Sequence, residues 1–186
     1  MYKFFIGLLL IASTVYADLI TTIDFDFDDT SLSWTPPGET QLFYYDLAYF
    51  IVDTSGSWTA TNTTIISHDS YSYNETAQGF AEADTYIYLY QNTFDVSDVN
   101  KNLLAEDDDG YDGGNGYQFE LTQNLIAGAT YWAVISSYDP GEFISGTVDI
   151  YGPNGSRIDI SIIPEPTTFG LTIGGFALIL LLLKRK

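Results

Sequence analysis

Thr130-Tyr131-Trp132-Ala133-Val134-Ile135-Ser136-Ser137 is a short aromatic and β-branched run entered through the turn Ala127-Gly128-Ala129. A run of this length bounded by turn residues predicts a strand buried inside a sheet. The segments around it have the same character. Asp24-Phe25-Asp26-Phe27-Asp28 alternates strictly, so a strand there has one aromatic and one acidic face. Leu42 to Val52 is long, apolar and aromatic, and predicts a strand or strand pair buried on both faces. The turn Asp53-Thr54-Ser55-Gly56 leads into a returning strand, Ser57 to Ile66. Thr85 to Tyr90, Tyr117 to Leu121, Gly146 to Tyr151 and Arg157 to Ile163 are further strands, the last two separated by Gly152-Pro153-Asn154-Gly155. Trp34-Thr35-Pro36-Pro37-Gly38, Tyr71 to Phe80 and Glu106 to Gly116 read as loops, and Leu103-Leu104-Ala105 as a short apolar piece. No long helical pattern interrupts the series. The expected fold is all-β, an antiparallel β-sandwich or jelly roll of about eight or nine strands.

The two ends have a different chemistry. Lys3 precedes an apolar core, Phe4 to Ala12, and Val15-Tyr16-Ala17 offers small residues where a signal peptidase reads. Residues 1–17 therefore read as a secretory signal helix, cleaved after Ala17 by signal peptidase. At the other end, Pro164-Glu165-Pro166 precedes an apolar run, Thr167 to Leu183, which is followed by Lys184-Arg185-Lys186. The apolar run spans roughly 25 Å as a helix, at the short limit for crossing a hydrocarbon core. The basic cluster is a stop that stays on the cytoplasmic side. The two prolines hold the preceding backbone extended and accessible to a processing enzyme. The domain plan is thus a signal peptide, residues 1–17, an exported domain, residues 18–163, and a tail, residues 164–186.

That tail resembles the bacterial PEP-CTERM sorting signal. The resemblance implies cleavage near Pro164-Glu165-Pro166 by an exosortase-type membrane enzyme, with the product released or attached at the cell surface. The alternative is a plain single-span anchor.

The chain has no cysteine, so an exported domain must hold itself together without disulfides. Residues 18–163 carry 24 of the 25 acidic residues and two of the six basic ones, a net charge of about −22. Nucleic acid and anionic membrane surfaces are poor partners for that field, and divalent cations are good ones. The high aromatic content and the alternating runs separate this domain from a disordered acidic tail.

The densest acidic segment is Glu106-Asp107-Asp108-Asp109-Gly110-Tyr111-Asp112-Gly113-Gly114-Asn115. Asp107, Asp108, Asp109, Asp112 and Asn115 offer the hard oxygen ligands that calcium takes, although the spacing is not that of an EF-hand. A solvated acidic turn explains the same residues. Asp84, heading the preceding strand, is either a further ligand or a strand-end residue. The acidic face of Asp24, Asp26 and Asp28 reads as a solvated sheet edge. Trp34, in a proline-rich loop, is the aromatic residue free to stack on a sugar, whereas Trp58 and Trp132 lie in expected strands. Enzymatic constellations are poorly represented: His68 is the single histidine and no Gly-x-Ser-x-Gly elbow occurs.

Between Gly56 and Tyr151 a second resemblance emerges. Gly56-Ser57-Trp58-Thr59, Asp84-Thr85-Tyr86-Ile87-Tyr88-Leu89-Tyr90, Asn102-Leu103-Leu104-Ala105-Glu106-Asp107-Asp108-Asp109-Gly110 and Ala127-Gly128-Ala129-Thr130-Tyr131-Trp132 occur in that order. The series resembles the bacterial pre-peptidase C-terminal (PPC-type) domain. That resemblance implies a non-catalytic β-sandwich, with calcium associated with acidic positions such as these. No enzyme domain accompanies it here.

The expected function is an exported, non-catalytic protein of the cell surface or extracellular matrix, processed by an exosortase-type enzyme, with a calcium-stiffened structural or adhesive role. Two rivals stand beside it: a secreted carbohydrate-binding module acting on exopolysaccharide, and a small secreted hydrolase.

Overall fold

The computed structural model describes residues 17–67, 83–111 and 116–162. The signal segment ahead of Ala17, His68, Asp112, Asn115, Pro164-Glu165-Pro166, the expected membrane helix 167–183 and the stop Lys184-Arg185-Lys186 lie outside those residues. Ten strands are described: β1 (Asp18–Phe27), β2 (Leu32–Trp34), β3 (Phe43–Val52), β4 (Gly56–Ser67), β5 (Thr85–Gln91), β6 (Leu103–Asp107), β7 (Glu120–Leu125), β8 (Thr130–Ser137), β9 (Ile144–Gly152) and β10 (Ile158–Ile162). One sheet has the order β1-β9-β4-β7; the other has the order β10-β3-β8-β5-β6, with β2 also pairing β3. Every pairing between strands is antiparallel.

The alternation seen in the sequence builds the space between the sheets. Phe25 and Phe27 of β1 are buried while Asp24 and Asp26 are exposed. Phe25 and Phe27 join Val148 and Ile150 of β9 and Trp58 of β4 from one sheet, facing Phe50, Ile87, Ala133 and Ile135 of the other, in a single apolar cluster. Two sheets sharing one core make a β-sandwich. A cavity of about 40 Å³ remains between them, bounded by Ala60, Ile87, Leu121, Ala133 and Val148 among others.

Polar anchors inside this core fix register. β4 carries a bulge at Asn62/Thr64 in its pairing with β9. A bulge frees backbone groups from the ladder, and they need other partners. The fully buried Asn62 supplies them, its Nδ2 donating to Thr64 O at 3.0 Å and to Thr147 O at 2.9 Å. Asn62-Thr63-Thr64 fits a glycosylation acceptor pattern, but a side chain committed in this way cannot act as one.

Several boundaries differ from the sequence expectation. The run Leu42 to Val52 holds one strand, β3, from Phe43, the first of the two alternatives expected there. The strand expected at Tyr117 to Leu121 is β7, Glu120–Leu125. β7 is the end strand of its sheet, so its outward residues Thr122 and Asn124 are exposed and polar and carry no apolar signal. Glu106 and Asp107, read as loop, complete β6, which is likewise an end strand. β2 was not expected at all, and it corrects the reading of Trp34 below.

Candidate functional site

The outer face of the six-stranded sheet is aromatic. In β5, Ile87 and Leu89 point into the shared core, so Tyr86, Tyr88 and Tyr90 point outward. Tyr45 and Leu47 of β3 and Val134 of β8 lie with them in a second apolar cluster. Two pieces of chain cover part of this face. The connection from β5 to β6 brings Phe94 and Val99, closed by left-handed Asn92 and Asn102 (φ 72° and 65°) and by Tyr90 Oη donating to Val99 O at 2.9 Å. Asparagine tolerates that conformation better than most residues. The second piece is β2, which pairs Trp34 with Phe43.

Trp34 is therefore not a free loop residue. It is 1 % exposed, with its ring 4.9 Å and edge-on from Tyr88, 5.5 Å from Phe94 and 5.7 Å from Tyr45. Covered in this way, it has no face to offer a sugar, and the glycan-contact expectation at this residue is corrected. Burial of the indole in the second cluster outweighs the cost of Nε1, which has no hydrogen-bond partner.

At the other end of β5 the face is open. Tyr86 stacks on Tyr88 at 4.4 Å between ring centroids and 10° between planes. Tyr138, just past β8, lies parallel to Tyr86 at 6.3 Å and 10°. The register explains this: Tyr86 is opposite Ser136, so Tyr138 is its diagonal neighbour on the same face. Tyr138 is 50 % exposed. Tyr138 N–H donates to Asp84 O at 3.0 Å, which fixes its backbone.

Carboxylates frame these rings. Glu106 is opposite Tyr88 in the β5–β6 pairing, which puts it on the same face, and Asp108 follows two residues later. Burial, then the charges of Glu106, Asp108 and Asp107, push the Tyr86 phenol up to about 12. Asp84 stands two residues before Tyr86, and one of its carboxylate oxygens, Oδ1, is buried without a hydrogen-bond partner. Desolvation first, then Asp109, Asp108 and Asp139, push Asp84 up to about 7. Among the described residues no cation relieves this field: Lys101 pairs with Asp95 at 3.6 Å and Arg157 lies beside Asp53.

The five residues expected to ligate calcium separate in their roles. Asp107 Oδ2 accepts from Glu120 N–H at 2.8 Å, tying β6 to β7 across the two sheets. Asp108 and Asp109 lie near Asp84, and Asp108 Oδ1 accepts from Asp109 N–H at 3.0 Å. Asp112 and Asn115 lie outside the described residues. Among the described residues no three carboxylates converge closely enough to hold a metal ion. The oxygens of these residues are hard donors of the kind calcium takes, and Asp84 Oδ1 is a buried carboxylate oxygen without a hydrogen-bond partner. The sequence reading missed the pairing of Tyr86 with Tyr138. Tyrosines at alternate positions were visible, but Tyr138 reaches them only through the β5–β8 register.

No family model matches this chain, and neither does any curated protein.

Proposed function

We propose that this chain is an exported, non-catalytic protein of the cell surface or extracellular matrix, processed at its C-terminal tail by an exosortase-type enzyme and serving a structural or adhesive role. The observation that carries the reading is the order Pro164-Glu165-Pro166, apolar run, Lys184-Arg185-Lys186, joined to a domain that consists of one sandwich. The strand order supports the finer fold reading: leaving β2 and β10 aside, β1-β9-β4-β7 against β3-β8-β5-β6 is the arrangement of a jelly roll. That topology is compatible with the PPC-type resemblance and with an accessory, non-enzymatic domain. The signal segment and the basic stop ask for the same orientation, with the acidic domain outside.

Calcium is part of the proposal. Asp108, Asp109, Asp112 and Asn115 of the acidic loop would hold the ion by drawing together carboxylates that stand apart without it, and its charge would offset carboxylates, Asp84 among them, that have no counter-cation among the described residues. Asp107 is committed to Glu120 N–H and braces the site from behind.

Deletion of residues 164–186 tests the sorting role. The expected result is unprocessed protein in the medium, where the full chain is processed and retained at the surface. Unchanged processing and retention would overturn the reading.

A further inference from the structure

Tyr138 is half exposed, and Tyr86 and Tyr88 continue from it a set of near-parallel rings. The rings are held before any ligand arrives. Tyr88 is buried under Trp34, and the Tyr138 backbone is bonded to Asp84. Glu106 and Asp108 stand beside the rings on the same face. A partly exposed aromatic stack flanked by carboxylates is complementary to planar, delocalised cations. The ring quadrupole attracts the charge, and the carboxylates accept the forked N–H groups.

We propose that the Tyr86–Tyr138 platform is a docking surface for an arginine-bearing segment of a basic polypeptide. Charge complementarity selects this occupant. A neutral sugar would use the rings and gain nothing from the surrounding negative potential, and an anionic polymer would be repelled by it. One guanidinium of the segment stacks on Tyr138, and a neighbouring one forks toward Glu106 and Asp108, which lie across β5 beside Tyr86 and Tyr88. The site is independent of the sorting tail. It shares Asp108 with the calcium reading and is distinguished from it by needing the Tyr138 ring and no metal.

The test uses fluorescein-labelled hexa-arginine and the full chain in a non-ionic detergent, with fluorescence anisotropy at low salt in EGTA. Saturable binding is expected, tighter than for hexa-lysine. Tyr138→Leu and Glu106→Gln should each weaken it about three-fold or more, while Tyr138→Phe should retain it. Asp159→Asn, removing an exposed charge on β10, should leave it unchanged. Wild-type affinity in Tyr138→Leu, or an equal loss in Asp159→Asn, would reduce the attraction to diffuse charge and overturn the proposal. Binding of cellohexaose in place of the peptide would overturn it in favour of a glycan platform.

Discussion

Thr85 and Asn62 join the two sheets by a hydrogen bond between side chains that are both fully buried, Thr85 Oγ1 donating to Asn62 Oδ1 at 3.1 Å. Asn62 also serves the bulge of β4, so one amide holds a strand irregularity and the inter-sheet register together. Asn62→Ala leaves two carbonyls short of a donor in a dry interior, while Thr85 Oγ1 keeps only its longer bond to Tyr117 O at 3.3 Å. The expected loss is about 3 kcal/mol of stability, read from chemical denaturation. A loss below about 1 kcal/mol would mean that water replaces the amide.

Asp84 should give the domain an unusual pH profile. Its folded value is raised to about 7 from the ordinary 3.8. Between those values the folded state holds the proton more tightly than the unfolded chain, so stability is fully present at the acidic end and falls as pH rises through about 7. Asp84→Asn should therefore raise the melting temperature by a few degrees at pH 8 and leave it nearly unchanged at pH 4. Calcium bound at the proposed site would oppose the same penalty in the wild-type protein. Its addition at pH 8 should raise the melting temperature, EGTA should lower it again, and Asp84→Asn should blunt the response. An unchanged melting curve with no heat of binding would sink the calcium assignment.

The cavity between the sheets, about 40 Å³, adjoins Ala133, which lies between Ala48 and Leu89 in the sheet register. Ala133→Val places two methyl groups toward that space. A gain of about 1 kcal/mol follows from the usual cost of an unfilled apolar volume. A loss would show that the flanking strands cannot admit the added volume.

Gly152 packs against an indole. A Cβ there would lie 2.6 Å from Trp58 Cζ3 and 2.7 Å from Cε3. Gly152→Ala should cost about 1–3 kcal/mol by overpacking. Trp58 is buried, so its displacement should also appear as a red shift of tryptophan emission.

Residues whose surroundings are set within their own strand were legible. Asp24-Phe25-Asp26-Phe27 declared a two-faced strand, and Tyr131 to Ile135 declared a buried one. Both are found in β1 and β8. Where surroundings come from distant chain, the sequence was silent or misleading. Trp34 stands beside Pro36 and Pro37, a loop signature, yet its environment is supplied by Tyr45, Tyr88 and Phe94. End strands β6 and β7 hide for a related reason, since a solvated edge lets polar residues occupy positions that a central strand would fill with apolar ones. The acidic segment after Leu104 was visible as composition. Its division into a strut at Asp107 and a charged rim at Asp108 needed the β6–β7 contact. Asp84 looked like a strand-end residue, and the burial of its Oδ1 could not be read locally.

β10, the last strand described, belongs to the same sheet as the Tyr86–Tyr138 platform and pairs with β3 over five residues. A protein tethered beyond Ile162 and gripped at Tyr138 would carry tension across the strands, through β3 and β8, along the hydrogen bonds rather than in shear against them. The shortest ladder on that route is the one nearest the tether. Under load the assembly would yield first by peeling β10, while the apolar interior and the gripping surface kept their shape. The strand would act as a mechanical fuse, extending before the hold is lost.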